Sequence, residues 1–361
     1  MQFLYQKNII MHPPHQNNNF DFLRFYFAFI VVVGHTIVLS NAEQLQLLRP
    51  YFNTYISVTG FFCISGFLIA RSFLNSGSLK DYLKKRAARL LPAYVLVILL
   101  CVFFLSFFST YSFREYFFHP QLYKYLAANL TFANFIQPCL PGVFLEEGMG
   151  CAVNGALWTI KVEVAFYLFI PILLFFAGKI KRKYILFIAV YLLSVLYKEG
   201  LSYLYDVSGN EFYAVFARQL PGFLSYFICG VALHYYHSVF IKHKYKLFVL
   251  GLVLFFFADK IFHIELFTPV GLALMIFTFA FSLKQLNSFG KFGDFSYGIY
   301  IFHCPIINTV TYLGFFNTYN PFIVAGIVIL IVLLVGFLSW NLVEKHFLAL
   351  AKSSRIVQPA K

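Results

Sequence analysis

Residues 20–40 read FDFLRFYFAFIVVVGHTIVLS. An apolar run of this length, interrupted only by Asp21, Arg24 and His35, matches the roughly 20 helical residues that cross a hydrocarbon core of about 30 Å. Runs of similar length recur along the chain. Of its 361 residues, 60% are apolar and 12% charged, with a mean hydropathy of +0.75, whereas soluble domains carry about 25% charged residues. The sequence therefore predicts an all-α integral membrane protein. Open strands would leave backbone groups unsatisfied in lipid, and the alternating ten-residue segments of a barrel are missing.

Ten transmembrane helices are expected, at about 20–40, 51–70, 90–110, 156–177, 184–201, 218–236, 245–259, 266–283, 297–316 and 321–341. They form one membrane domain over 20–341, with a disordered cytoplasmic N-terminal tail over 1–19 and a cytoplasmic C-terminal tail over 342–361. Residues 1–19 lack the apolar core and cleavage site of a secretory leader, so the first span is expected to be retained. No internal repeat and no second soluble domain is read.

Charge sets the orientation. Twenty of the 28 Lys and Arg residues fall in the N-terminus, 71–89, 178–183, 237–246, 284–296 and the C-terminal tail, and six fall on the opposite side. The positive-inside rule makes the first set cytoplasmic, so both termini lie inside and the number of spans is even. This sidedness accounts for the net charge of +14. It also excludes nucleic acid as a partner, because no soluble element gathers the cations into one basic face.

The largest external segment, 111–155, contains QLYKYLAANLTFANFIQ, patterned for an interfacial amphipathic helix. It also holds Cys139 and Cys151, which in an oxidising compartment either form a disulfide or stay free. Cys63, Cys101, Cys229 and Cys304 lie within spans, as small apolar fillers.

Ionisable groups within spans are expensive and point to function. Arg24 and His35 are separated by about three helical turns, so they share one face roughly 16 Å apart. Alternatively Arg24 pairs with Asp21 and His35 bonds another helix. Arg86 and Arg89, at i and i+3 in KDYLKKRAARLLPAY, present two guanidinium forks suited to phosphate oxygens, or serve as a positive-inside anchor. LWTIKVEVAFYLFIP carries Trp158, Lys161 and Glu163, and SYGIYIFHCPI carries His303 above Pro305. A Glu at that depth must be neutral, paired or in contact with water, and either His can act as a base or as an interior donor. No metal site is expected.

Together these segments resemble the membrane-bound acyltransferase family 3, which includes bacterial O-antigen and other surface-glycan O-acetyltransferases. The resemblance rests on FDFLRFYFAFIVVVGH, FFCISGFLIARS, KKRAARLLPAY, ALWTIKVEVAFYLFIP and SYGIYIFHCPI, in that order along most of the chain. It implies that Arg24 and His35 are the essential pair, that Arg86 and Arg89 form the second arginine motif, and that Trp158 and Glu163 belong to the tryptophan-glutamate segment. Ser65 and Gly66 stand in the second-span motif. The implied partners are acyl-CoA, usually acetyl-CoA, as cosubstrate, a glycan or lipid-linked glycan as acceptor, and membrane lipid, with the protein in the bacterial cytoplasmic (inner) membrane. Lys161 stands where many relatives are uncharged, so it can compete with Glu163 for one cavity. Some members add a soluble esterase-like domain; with about twenty residues after the last span, any such activity is expected here from another polypeptide.

Acyl transfer to a hydroxyl needs a base, an oxyanion stabiliser and an oriented thioester. His35 is the expected base, with Glu163 or His303 orienting it or stabilising charge, and Arg24, Arg86 and Arg89 are expected to hold the CoA phosphates, with Arg24 alternatively organising the reacting end. Direct transfer and a covalent acyl-enzyme both stay open. The competing class is a proton-coupled transporter, in which buried Arg, His and Glu and the glycine-containing stretch VTGFFCISGF line a substrate path. A purely structural scaffold leaves the intramembrane charges without a purpose.

Overall fold

Several of the apolar runs carry an internal proline, which removes one backbone donor and leaves the carbonyl four residues earlier without its helical partner. The computed structural model describes residues 18–145, 150–262 and 265–353, and in it each of the ten expected spans holds a helix. These are α1 (Phe20–Leu39), α2 (Thr54–Leu74), α3 (Leu79–Phe104), α4 (Trp158–Lys179), α5 (Lys183–Ser208), α6 (Leu220–Tyr235), α7 (His237–Val253), α8 (Thr268–Ala280), α9 (Ser296–Tyr312) and α10 (Pro321–Ser339). Local chemistry sets their starts. Asn53, Ser78 and Asn320 cap α2, α3 and α10 by accepting the backbone N–H of Ile56, Asp81 and Phe322, satisfying donors that a helix start leaves free.

Two prolines find their missing partners in other segments. Pro171 in α4 frees the Tyr167 carbonyl, which accepts the Tyr82 hydroxyl from α3 at 3.1 Å. Pro305 in α9 frees the Ile301 carbonyl, which accepts the Asn154 amide at 2.8 Å. The second bond docks the segment ahead of α4 onto α9 close to His303. Asn308 holds the same segment through the Ala152 and Val153 carbonyls at 3.1 and 3.3 Å.

By length and composition, seven described helices can cross a membrane, and an eighth is the pair Thr268–Ala280 and Lys284–Lys291, bent by 75°. The count falls short of ten for a physical reason. At 17 residues α9 spans only about 26 Å, and α7, although it continues through a π-helical stretch to Phe262, carries Lys242, Lys244 and Lys246 in its first half. Residues 237–246, expected as a cationic loop, are the first turns of α7, since Lys is a good helix former. Likewise, the cations of 80–89 ride on the start of α3.

Beyond α10 a π-helical turn, Trp340–Glu344, leads into a helix over Lys345–Ser353. The rest of the expected C-terminal tail, and residues 1–17 of the N-terminal one, lie outside the described residues. Among the described residues no strand forms, only an isolated bridge between Cys139 and Ala152. Beside it Cys139 and Cys151, with Cα atoms 5.1 Å apart, are joined as a disulfide, one of the two expected states. The helix Pro120–Leu130 buries Leu122 and Tyr125 and is tied to α3 where Tyr94 donates to the Asn129 carbonyl at 2.7 Å.

Small residues let the helices approach closely, the usual packing device where lipid removes the hydrophobic drive between helices. At Gly66 a Cβ would run into the Phe227 carbonyl oxygen, so this position fixes the α2 to α6 crossing. Around that crossing the aromatic core stacks Phe166 on Phe227 at 4.1 Å and sets Phe62 edge-on to Phe166.

Candidate active site

Packing of α1 against α9 brings His35 and His303, from two different spans, together. His35 Nδ1 lies 2.7 Å from His303 Nε2, and the rings stack with centroids 4.9 Å apart. His303 Nδ1 in turn lies 2.5 Å from the Tyr300 carbonyl oxygen. That oxygen can only accept, so with both rings neutral the chain of protons is determined. His303 donates from Nδ1 to Tyr300 O, its Nε2 accepts from His35 Nδ1, and His35 Nε2 is left with a free lone pair. Of the two expected orienting groups, His303 is the one in contact with His35, whereas Glu163 bonds Tyr167 instead.

Cys304 Sγ sits 3.3 Å from His303 Nε2 and 3.7 Å from His35 Nδ1. The three ligand atoms lie within 4.8 Å of one another, a set that a soft divalent ion accepts. Coordination there would replace the hydrogen bond between the histidines.

A cavity begins beside this pair and runs away from it. Along α2 its lining extends from Val58 to Ile69, a length of about 16 Å. Phe61, Thr159 and Tyr300 form the end nearest the histidines, and Arg24, Arg86, Arg89 and Tyr167 form the other. Ser65 and Glu163 also line it. The i, i+3 spacing of Arg86 and Arg89 and the shared face of Arg24 and His35 therefore lead into one place, although the histidines stand behind Tyr300 and are not part of the lining. On the far side, next to His35, Gly34, Ile37 and Val38 line a separate depression with Arg49, Pro50, Phe52, Asn53 and Thr54.

The arginines are not equivalent. Arg24 pairs with Asp21 one turn back, as the alternative sequence reading has it, and also with Asp294 at 2.7 Å. Arg89 pairs with the same Asp294 and lies 3.7 Å from Glu344, which accepts the Ser339 hydroxyl at 2.9 Å. Asp294, in the loop ahead of α9, is thus a shared counter-ion. Burial opposes its charge, but Arg24, Arg89 and the Ser296 hydroxyl outweigh burial and hold the carboxyl down to about 2. The loop reaches this position because Gly293 has φ +104°, and a Cβ there would strike the Trp340 indole. Arg86, by contrast, forms no ion pair among the described residues. Its guanidinium lies over the Tyr167 ring at 5.7 Å, and its buried Nε has no partner.

The other expected site residues fall at varying distances from this centre. Glu163 accepts the Tyr167 hydroxyl at 2.5 Å inside the cavity. Lys161 does not compete with it: the ammonium lies over the Phe135 ring at 4.5 Å, on another face of α4. Trp158 packs against Phe223 at 5.6 Å and is not in the cavity lining, and Gly66 serves the helix crossing. Sequence reasoning missed Asp294, Glu344, Thr159 and Tyr300. It also missed Lys198, paired with Glu265, which accepts from Tyr55 and Tyr226 and ties α2, α5 and α6 together.

A protein-family model described as an acyltransferase domain matches residues 17–341. Among curated proteins, the chain is 28% identical to an O-acetyl transferase of Shigella phage Sf6 over 346 residues, covering 92% of this chain and 97% of the relative. It is also 28% identical over 371 residues to nodulation protein 10 of Rhizobium leguminosarum bv. viciae, covering 95% and 96%. No solved structure matches it.

Proposed function

Because the chain belongs to the acyltransferase family that matches it over residues 17–341, it is a membrane acyltransferase, and we propose that acetyl-CoA from the cytoplasm is its donor and a surface-glycan hydroxyl its acceptor. The phage relative's name, O-acetyl transferase, supports acetyl as the transferred group. An O-antigen type of polysaccharide in the bacterial inner membrane's export route is the acceptor we favour, with both termini cytoplasmic as the sidedness of the cations requires.

One observation carries this reading. The free lone pair of His35 Nε2 lies on a histidine pair flanked by a cation-ended cavity on one side and an outer depression on the other. A donor with anionic phosphates and a reactive thioester at the end of a long arm fits the first; a polar acceptor fits the second.

The transfer needs no covalent enzyme intermediate. The acceptor hydroxyl gives its proton to His35 Nε2 as its oxygen attacks the thioester carbonyl carbon. The charge that His35 gains is shared through Nδ1–H with His303, whose own proton is held on the Tyr300 carbonyl. The carbon–sulfur bond then breaks, and the departing CoA thiolate takes the proton back from His35. The donor's phosphates pair with Arg86, whose guanidinium has no carboxylate of its own, while Arg24 and Arg89 shape the same end from their fixed positions on Asp294.

Arg86→Lys is expected to raise the KM for acetyl-CoA by about tenfold with little change in turnover, because a single ammonium keeps the charge but loses the planar fork. Unchanged activity at limiting acetyl-CoA would argue against phosphate recognition at Arg86. The function itself is tested by giving acetyl-CoA to membranes that contain the protein and a host polysaccharide. Free CoA should appear in step with acetyl groups on the polysaccharide; a transporter would instead move its substrate without changing its mass.

A further inference from the structure

An acyl transfer needs a hydrogen-bond donor aimed at the oxyanion as well as a base, and the donor must stand at the histidine end of the cavity. The arginines do not qualify, since Arg24 and Arg89 are held on Asp294 at the opposite end. Of the lining residues at the near end, two carry hydroxyls, Thr159 and Tyr300, and these lie 2.8 Å apart. Thr159 Oγ1 also lies 3.0 Å from the Ala156 carbonyl, which can only accept; with the Thr159 proton on that carbonyl, the Tyr300 hydroxyl is the donor and Thr159 its acceptor.

Tyr300 is also tied to the base. Its ring centroid is 5.7 Å from that of His303 and 5.8 Å from that of Phe61, and its backbone carbonyl fixes the His303 proton. The side chain is buried, at 7% exposure. We propose that Tyr300 is a catalytic residue whose hydroxyl, resting on Thr159, turns to the thioester carbonyl oxygen as negative charge develops there. This rests on the acyl-transfer reading above. No proton changes owner in this step: the phenol keeps its hydrogen and exchanges one acceptor, Thr159 Oγ1, for another, the oxyanion. Because Thr159 loses only an incoming bond and keeps the one it donates, the exchange leaves no buried donor unpaired.

The test uses full-length protein in native membranes, supplied with acetyl-CoA and the host polysaccharide, reading both CoA release and polysaccharide acetylation. Wild-type activity establishes the reaction on which the proposal depends, so failure of that reading is seen separately from failure of this one. Tyr300→Phe, which preserves ring packing and the backbone carbonyl, is expected to lower kcat by about 10²-fold and to leave the KM for acetyl-CoA within about twofold. Thr159→Val removes only the resting acceptor and is expected to cost no more than about threefold in kcat. Retention of wild-type kcat in Tyr300→Phe would overturn the proposal, as would equal losses in the two variants, which would mark the bond between the hydroxyls as merely structural. If Tyr300→Phe does not accumulate in the membrane, fluorotyrosine at position 300 changes the donor strength without changing shape. A shift in kcat then supports the role, and an unchanged kcat overturns it.

Discussion

Replacing His303 by alanine is expected to lower turnover by about 10²- to 10³-fold while leaving the KM for acetyl-CoA near its wild-type value. The reason is the direction of the proton chain. Without His303 Nε2 to accept it, the Nδ1–H of His35 has no fixed partner, and the imidazole is free to rotate or to move its proton to Nε2, the atom that must accept from the substrate. The imidazolium formed during transfer also loses the neighbour that shares its charge. His303→Gln, whose amide oxygen can accept the same N–H, should recover part of the loss. A purely packing role would show the reverse pattern, because His303 is fully buried and both variants would then lower protein level together. Activity per molecule near wild type in His303→Ala would remove the oriented-base account.

Asp294→Asn should cause the largest loss of stability of any single substitution in the site. Arg24 and Arg89 are mostly buried and share this carboxylate. Removing one partner of a buried ion pair strands the other charge and costs about 3–5 kcal/mol. Glu344, 3.7 Å from Arg89, offsets only part of this, since it cannot serve Arg24 from its position on the π-helical turn. The sign of the pH dependence follows from the depressed pKa. The carboxylate's contribution is complete above its unfolded value near 3.8 and is lost only as pH falls toward about 2. The pair is therefore intact at every physiological pH, and the defect of Asp294→Asn should be present at pH 6 as well as at pH 8. Thermal unfolding of the detergent-solubilised protein checks this: a clear drop in midpoint that Asp294→Glu partly restores is expected, and a wild-type midpoint would show that the two arginines do not depend on Asp294.

Much of this site was legible before any coordinates. Helical periodicity placed Arg24 and His35 on one face and Arg86 and Arg89 on another, and both faces lead into the same neighbourhood. His303 was recognisable because an imidazole in an apolar run is rare. What stayed hidden depends on contacts between distant segments. Nothing local distinguishes Asp294, in FGDFS, from an ordinary loop acid; its meaning comes from arginines 270 and 205 positions away. The one usable signal was indirect: two buried arginines demand counter-ions, and only 14 acidic residues are available to supply them. Tyr300 was hidden for the opposite reason, since one tyrosine among 25 carries no information until the fold sets it in a cavity wall beside Thr159.

The boundaries show the same division. Apolar runs announced all ten helices, yet α7 starts inside a segment whose lysines suggested a loop, because charge marks the membrane edge and not the end of a helix. The expected competition between Lys161 and Glu163 failed for a geometric reason. Two positions apart on a helix, their side chains diverge, and Lys161 finds the Phe135 ring.

The most direct test compares the wild type with His35→Ala, at matched membrane levels, in a Gram-negative host that carries a surface polysaccharide. Acyl groups on the extracted polysaccharide are measured by mass spectrometry. An added acetyl mass in the wild type that is lost in His35→Ala is expected. An acetyl mass that survives in His35→Ala would contradict the role of His35 as the base, because among the described residues His303, the other imidazole of this pair, has both ring nitrogens engaged.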